Sequence, residues 1–415
     1  MSWRPLLTSE LAEQADLAVS AISEALQGPL PDVGSYSLSA GHSGLALFFG
    51  HLSLARSEER LAELATAHLS QAIESVASDP SPSLGLFSGL SGLAWTWHHL
   101  SQVLHGESEP DATAELDEVL LEAVRAAPWQ WDWDLISGLA GIGLYALSHP
   151  EPGFAQEAVE HIVARLAELT VECPTGIAWR TEPGLMTATN AKAYPAGRFD
   201  QGVAHGVPGV IGFLGAAYER GIARQPTRAL LEGALAWMYA NMRPEDGGSR
   251  FAYFPPVMAN TRSAWCYGDP GVSATLLRVG VLIGDKPLRE LAASIACRAA
   301  RLPIEQAGVV DTTLCHGSAG LAHIFNRIFQ ATGEEDLAIA AKAWFQQSTP
   351  LSPPGICLFF CRRHRSQPQN HFAEQPVRHG IQSDRFWIED VFTLAVLSSS
   401  SLLGHSNNPK HQSYD

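Results

Sequence analysis

A short glycine unit, Gly-x-x-Gly followed by an apolar run, recurs along the chain and restricts its fold more than any other feature. It stands at Gly41-His42-Ser43-Gly44, Gly89-Leu90-Ser91-Gly92, Gly138-Leu139-Ala140-Gly141, Gly206-Val207-Pro208-Gly209, Gly268-Asp269-Pro270-Gly271 and Gly317-Ser318-Ala319-Gly320. The first glycines are 48, 49, 68, 62 and 49 residues apart. Each interval holds two helices with their connections, so the repeat predicts six helix pairs. The run after each unit, such as Leu45-Ala46-Leu47-Phe48-Phe49, is apolar all round and reads as a buried helix. Between units the pattern is amphipathic: over 157–171, Val159, Ile162, Val163, Leu166 and Leu169 share a face while Glu157, Glu160, Arg165 and Glu168 point away. An inner layer of helices covered by an outer one is expected, with glycines permitting close backbone approach at a crowded centre.

Two stretches interrupt the repeat. Residues 172–202 hold Pro174, Gly176, Pro183, Gly184, Pro195 and Gly197 and read as an insertion with some strand. Residues 361–383, rich in Arg, Gln and His, read as a mobile polar loop, and 405–415 as a frayed tail. The remainder reads as a single domain spanning 1–415.

Composition narrows the function. With 46% hydrophobic and 17% charged residues the chain should fold. Its formal net charge of -16 argues against a protein that neutralises nucleic-acid phosphates. Six scattered cysteines in 415 residues do not make a disulfide scaffold and suit a reducing compartment. Met1-Ser2-Trp3-Arg4-Pro5 shows no secretory signal, and the uncharged stretches 33–55 and 80–106 are too broken by Ser, His and Gly to span a membrane. A cytoplasmic protein without a transmembrane segment is expected.

Two units carry unusual neighbours, Trp265-Cys266-Tyr267-Gly268 and Leu314-Cys315-His316-Gly317. Two thiols and one imidazole match a catalytic type of zinc site, which keeps a fourth position open. Adjacent side chains diverge on a helix, so Cys315 and His316 can share a metal only in the turn before it. Repeats packed side by side would bring Cys266 to that turn. Asp134, His205, Arg262 and Tyr267 fall in equivalent turns and are candidates for acid–base or charge-stabilising work. His42 reads as structural. Cys357, Cys361 and His364 form a weaker second cluster, and the other thiols read as core. The sequence patterns for a P-loop, a zinc protease and a serine hydrolase are absent.

The segments Tyr194–Gly209 (YPAGRFDQGVAHGVPG), Arg262–Gly271 (RSAWCYGDPG) and Cys315–Gly320 (CHGSAG) resemble those of the lanthionine synthetase C family, the lanthipeptide cyclases. The resemblance covers about residues 41–330. It implies an all-α fold, an α/α toroid of seven helix pairs with a small strand-containing insertion. The seventh inner helix would fall in an altered stretch, Phe386–Leu397, that lacks the glycines. It further implies one zinc ion per chain held by Cys266, Cys315 and His316, His205 as the main acid/base residue, and Asp134, Arg262 and Tyr267 at further active-site positions.

The implied reaction is intramolecular addition of a peptide cysteine thiol to dehydroalanine or dehydrobutyrine, giving a lanthionine or methyllanthionine thioether. Support for the developing enolate would come from Arg262 or Tyr267. The implied partners are a dehydrated precursor peptide and the dehydratase and exporter of the same pathway. The implied location is the cytoplasm, at the periphery of a membrane-associated biosynthetic complex. A non-catalytic peptide-binding or scaffold relative is the alternative, motivated by the altered last repeat. A glycosidase on a similar toroid is weaker, because the motif turns offer few carboxylates.

Overall fold

The computed structural model describes residues 3–28, 35–106, 110–245, 248–255 and 260–348. Fourteen α-helices lie within them: α1 Ser9–Leu26, α2 His42–Arg56, α3 Glu59–Val76, α4 Leu90–His105, α5 Ala114–Arg125, α6 Leu139–Ser148, α7 Pro152–Glu168, α8 Ala188–Ala193, α9 Val207–Glu219, α10 Arg224–Ala240, α11 Asp269–Leu282, α12 Lys286–Ala300, α13 Ser318–Thr332 and α14 Glu335–Ser348. Helices α2, α4, α6, α9, α11 and α13 each start at a Gly-x-x-Gly unit, and each packs on the next. They form the inner wall of an α/α toroid.

Helices α3, α5, α7, α10, α12 and α14 cover the wall, each against the inner helix that precedes it in sequence or, for α5, against α4 and α7. The sequence pattern accounts for the layers. In α6 every residue from Leu139 to Leu147 is buried, whereas α7 buries only its stripe of Ala155, Ala158, Val159, Ile162, Val163 and Leu166. Helix α1 packs on the first pair: Ile22 and Leu26 lie with Leu45, Phe49 and Leu61 of α2 and α3. Ahead of it, Arg4 stacks 4.1 Å over Phe329 of α13 and exchanges two 2.8 Å hydrogen bonds with Gln330. The expected seventh inner helix, the loop 361–383, the tail 405–415 and the Cys357/Cys361/His364 cluster lie outside the described residues.

The strand excursion forms a three-stranded antiparallel sheet, β1 Thr170–Glu172, β2 Ile177–Thr181 and β3 Arg198–Phe199, paired Thr170↔Trp179 and Arg180↔Phe199. It begins at Thr170, inside the stretch that reads as helix by spacing alone, because Thr170 and Val171 find ladder partners on β2. The sheet rests on α10 and leads the chain into the turn before α9.

The turns before the inner helices set the geometry that matters for function. At Gly41, Gly89, Gly138, Gly206 and Gly317 the chain doubles back so that the first helical N–H reaches the carbonyl six residues before the glycine. Leu139 N to Asp132 O is 3.2 Å and Val207 N to Asp200 O is 3.0 Å. A Cβ on Gly138 would sit 2.2 Å from Asp132 O, and one on Gly206 2.4 Å from Asp200 O, so any other residue would force the backbone to shift. Equivalent turns are then stitched to their neighbours by backbone bonds at one position, two before the glycine. Ser39 N donates to Phe87 O (3.0 Å), Phe87 N to Ile136 O (3.1 Å), Ala204 N to Cys266 O (3.3 Å) and Cys266 N to Cys315 O (3.4 Å).

Candidate active site

That ladder carries Cys266 and Cys315 at the same position of adjacent repeats, and His316 follows at once. The ligand atoms of these three residues lie within 4.8 Å of one another. Both thiols are buried and the imidazole is half-buried. The turn geometry lets neighbours Cys315 and His316 converge, as adjacent residues on a regular helix cannot.

Electrostatics within the group suit a cation. The Cys266 thiol is pulled well below its usual range, chiefly by a hydrogen bond from Cys315, against the opposing effect of burial, with His316 and Arg262 adding. His316 Nε2 lies 3.2 Å from Asp311 Oδ2, which leaves Nδ1 buried without a hydrogen-bond partner. Burial would lower this imidazole, but the Asp311 hydrogen bond, with Cys266, lifts it to about 9. One thiol with a depressed proton affinity, a second hydrogen-bonded to it and a nitrogen that has no other partner are the donor set a zinc ion takes.

Beside this group, His205 Nδ1 is 2.5 Å from Asp134 Oδ2. Asp134 is almost covered and is held by its other oxygen, which accepts the Ser137 N–H at 2.7 Å. Partial desolvation works to lower His205, but the charge and hydrogen bond of Asp134 outweigh it, and with Asp200 and Cys266 they raise the imidazole to about 9. The ring is 48% exposed, so its other nitrogen is open to a reactant. Tyr267 turns its hydroxyl to Asp200, donating to Oδ2 at 2.9 Å, and burial beside that carboxylate pushes the phenol well up. Arg262 is half-buried and lies close enough to Cys266 and His316 to shift both. All seven residues singled out from sequence thus lie in the turns at one end of the toroid, with Asp134 and His205 as one pair, Cys266, Cys315 and His316 as one cluster, and Arg262 and Tyr267 flanking it.

Four further residues belong to this end: Asp132, Asp200, Asp311 and Gly202. Burial, then the like charge of Asp134, pushes Asp132 up to about 6. The signal that would have found the three acids is the register of the repeat. Asp132, Asp200, Arg262 and Asp311 each stand six residues before the first glycine of a unit, and His205, Tyr267 and His316 each stand one before it.

A second group of possible ligands, His98, Asp117 and His149, also falls within 4.8 Å, but its protons are already assigned. His149 Nδ1 accepts the Glu151 N–H at 3.0 Å, so its Nε2 carries the hydrogen given to Asp117 Oδ2 at 3.1 Å. Thr113 donates to the same carboxylate at 2.7 Å and so accepts from His98 Nε2 at 2.7 Å, while the Tyr145 hydroxyl takes Asp117 Oδ1. A metal would have to displace these hydrogens. The network is a buried tie between α4, α5 and α6.

The fold and this end of the toroid define a class, and comparison with known proteins gives it a name. The chain matches the family described as lanthionine synthetase C-like protein over residues 32–371 and belongs to it. It is 23% identical over 317 residues to the nisin biosynthesis protein NisC of Lactococcus lactis subsp. lactis, covering 71% of this chain and 73% of that protein. Among solved structures it is similar to a nisin cyclase, with a TM-score of 0.63 and 20% identity over 81% of this chain and 86% of the other. At that identity the likeness in structure speaks for the toroid alone. No described helix is long and apolar enough to cross a membrane.

Proposed function

We propose that this protein is a zinc-dependent lanthipeptide cyclase, joining cysteine thiols of a dehydrated precursor peptide to dehydroalanine or dehydrobutyrine as lanthionine or methyllanthionine. The observation that carries the reading is the convergence of Cys266, Cys315 and His316 beside the Asp134–His205 pair. Family membership and the named relatives support it.

Cys266, Cys315 and the free Nδ1 of His316 would hold the ion, with Asp311 fixing the ring. A bound zinc would supply Lewis acidity that makes a substrate thiol a thiolate at neutral pH. The rest of the reaction falls to the protein. The thiolate adds to the β-carbon of the dehydro residue, forming the C–S bond and shifting the alkene electrons onto the adjoining carbonyl as an enolate. Arg262 is the residue to stabilise that charge, because the single hydroxyl proton of Tyr267 is already given to Asp200. His205, held as imidazolium by Asp134, delivers a proton to the α-carbon from the nitrogen that Asp134 leaves free. The proton released by the substrate thiol restores His205 through solvent, so the addition loses no atom and needs no oxidant.

The same end offers room for a peptide. A cleft of about 700 Å³ runs along the turns of the first three repeats, lined in part by Ser37, Asp79, Ser83, Trp129, Trp131 and Asp132. The dehydratase, the exporter and a cytoplasmic or membrane-peripheral location belong to this reading as the company such a cyclase keeps. The test is direct: purified protein with a dehydrated precursor peptide, scored by loss of alkylatable thiols at unchanged mass, alongside metal analysis. About one zinc per chain and ring formation are expected, both lost in Cys266→Ala and Cys315→Ala. Full activity in metal-free protein, or a peptide bound but never cyclised, overturns it.

A further inference from the structure

Asp200 is 1% exposed, and its carboxylate makes three contacts. One oxygen accepts the Gly202 N–H at 2.9 Å. The other accepts the Tyr267 hydroxyl at 2.9 Å and faces Arg198 Nη2 at 3.6 Å. A carboxylate buried to this degree is unfavourable unless its partners need it there. Arg198 is itself fixed, its guanidinium 5.5 Å from the Tyr194 ring and 4.9 Å from Phe254.

The segment from Asp200 to His205 grips the Cys266–Tyr267 turn at two more points. Ala204 N donates to Cys266 O at 3.3 Å. Gly202 lies flat against the phenol: a Cβ there would come within 2.5 Å of Tyr267 Cε1 and 2.6 Å of Cys266 O. Ring and hydroxyl are therefore held by residues two apart on one short segment, whose last member is His205.

We propose that Asp200 is a positioning residue for the cyclisation, locking Tyr267 with its hydroxyl proton turned away so that the phenol oxygen meets the substrate only as a hydrogen-bond acceptor. The donor it takes is a backbone N–H of the dehydrated peptide, which fixes the alkene relative to His205. Arg198 balances the buried charge and so ties the small sheet to the reacting end. The inference rests on the cyclase reading above.

The experiment is a double-mutant cycle of Asp200→Asn and Tyr267→Phe in the zinc-loaded protein, measuring kcat and KM for cyclisation, zinc content and melting temperature. Each single variant should lose about tenfold to a hundredfold in kcat at unchanged zinc content. Asp200→Asn should cost little further in the Tyr267→Phe background, since one interaction has been removed twice. Fluorine NMR of 3-fluorotyrosine protein adds a readout that needs no turnover: the resonance missing in Tyr267→Phe should shift in Asp200→Asn. Independent, multiplying losses overturn the inference, as does an unmoved resonance or a loss that follows zinc content. Wild type that never cyclises overturns the cyclase reading instead.

Discussion

His316 shows how a single side chain can be prepared for a metal. Its Nε2 is taken by Asp311 and its Nδ1 is buried with no partner, while its proton affinity is raised to about 9. At neutral pH the metal-free imidazole therefore carries a proton that a cation must displace. Zinc uptake at pH 7 should release about two protons per ion, one from His316 and one from the Cys315 thiol that hydrogen-bonds to Cys266, read by calorimetry in buffers of different ionisation enthalpy, and affinity should fall as pH is lowered. Release of a single proton, which Cys315 supplies by itself, would mean that His316 is not a ligand. Asp311→Asn keeps the shape and removes the charge, and should weaken zinc about tenfold to a hundredfold in a chelator competition. His205 gives a parallel case in catalysis. Asp134 holds it protonated up to about pH 9, so if it is the acid, the rate should decline as pH rises through that value. In Asp134→Asn the alkaline limb of kcat/KM should move to lower pH; a limb that stays in place would remove His205 from that role.

The turn and helix that each Gly-x-x-Gly unit builds were readable from sequence because the constraint is local. The glycine has a carbonyl where a Cβ would go, and the apolar run after it can only be buried. Gly138→Ala should therefore cost about 1–3 kcal/mol in urea unfolding, whereas Gly184→Ala, with nothing within 4 Å of the added carbon, should stay within about 0.5 kcal/mol. Equal costs would show that the crowding is relieved by a small backbone shift. The same locality explains what the sequence concealed. Cys266, Cys315 and His316 stand out by residue type, but Asp200 and Asp311 look like ordinary loop acids until the ladder between turns shows which positions share the end of the toroid. The His98–Thr113–Asp117–Tyr145–His149 network left no sequence signal, because its members come from three helices with no common spacing.

Across the whole molecule, imidazoles shifted in opposite directions divide the pH scale between them. His68 and His98 are lowered to about 4, mainly by burial and secondly by a neighbouring imidazole, His42 and His149 respectively. The unfolded chain binds protons at these sites near pH 6.5 that the folded one refuses. Their contribution is thus complete above that pH and drains away as pH falls towards about 4, by up to about 3 kcal/mol for each. His205 and, without metal, His316 behave in the reverse sense: raised to about 9, they contribute fully below pH 6.5 and lose it as pH climbs through their folded values. Metal-free protein should therefore be most stable close to pH 6.5, with zinc extending the alkaline side because it replaces the His316 proton. Urea unfolding between pH 4 and 9 tests this, with His68→Gln and His98→Gln as the informative variants. Each should flatten the acid limb while leaving the alkaline limb untouched, since the two pairs sit in different parts of the toroid and share no partner. An acid limb as steep in both variants as in the parent would transfer the effect to the carboxylates and remove these imidazoles from the account.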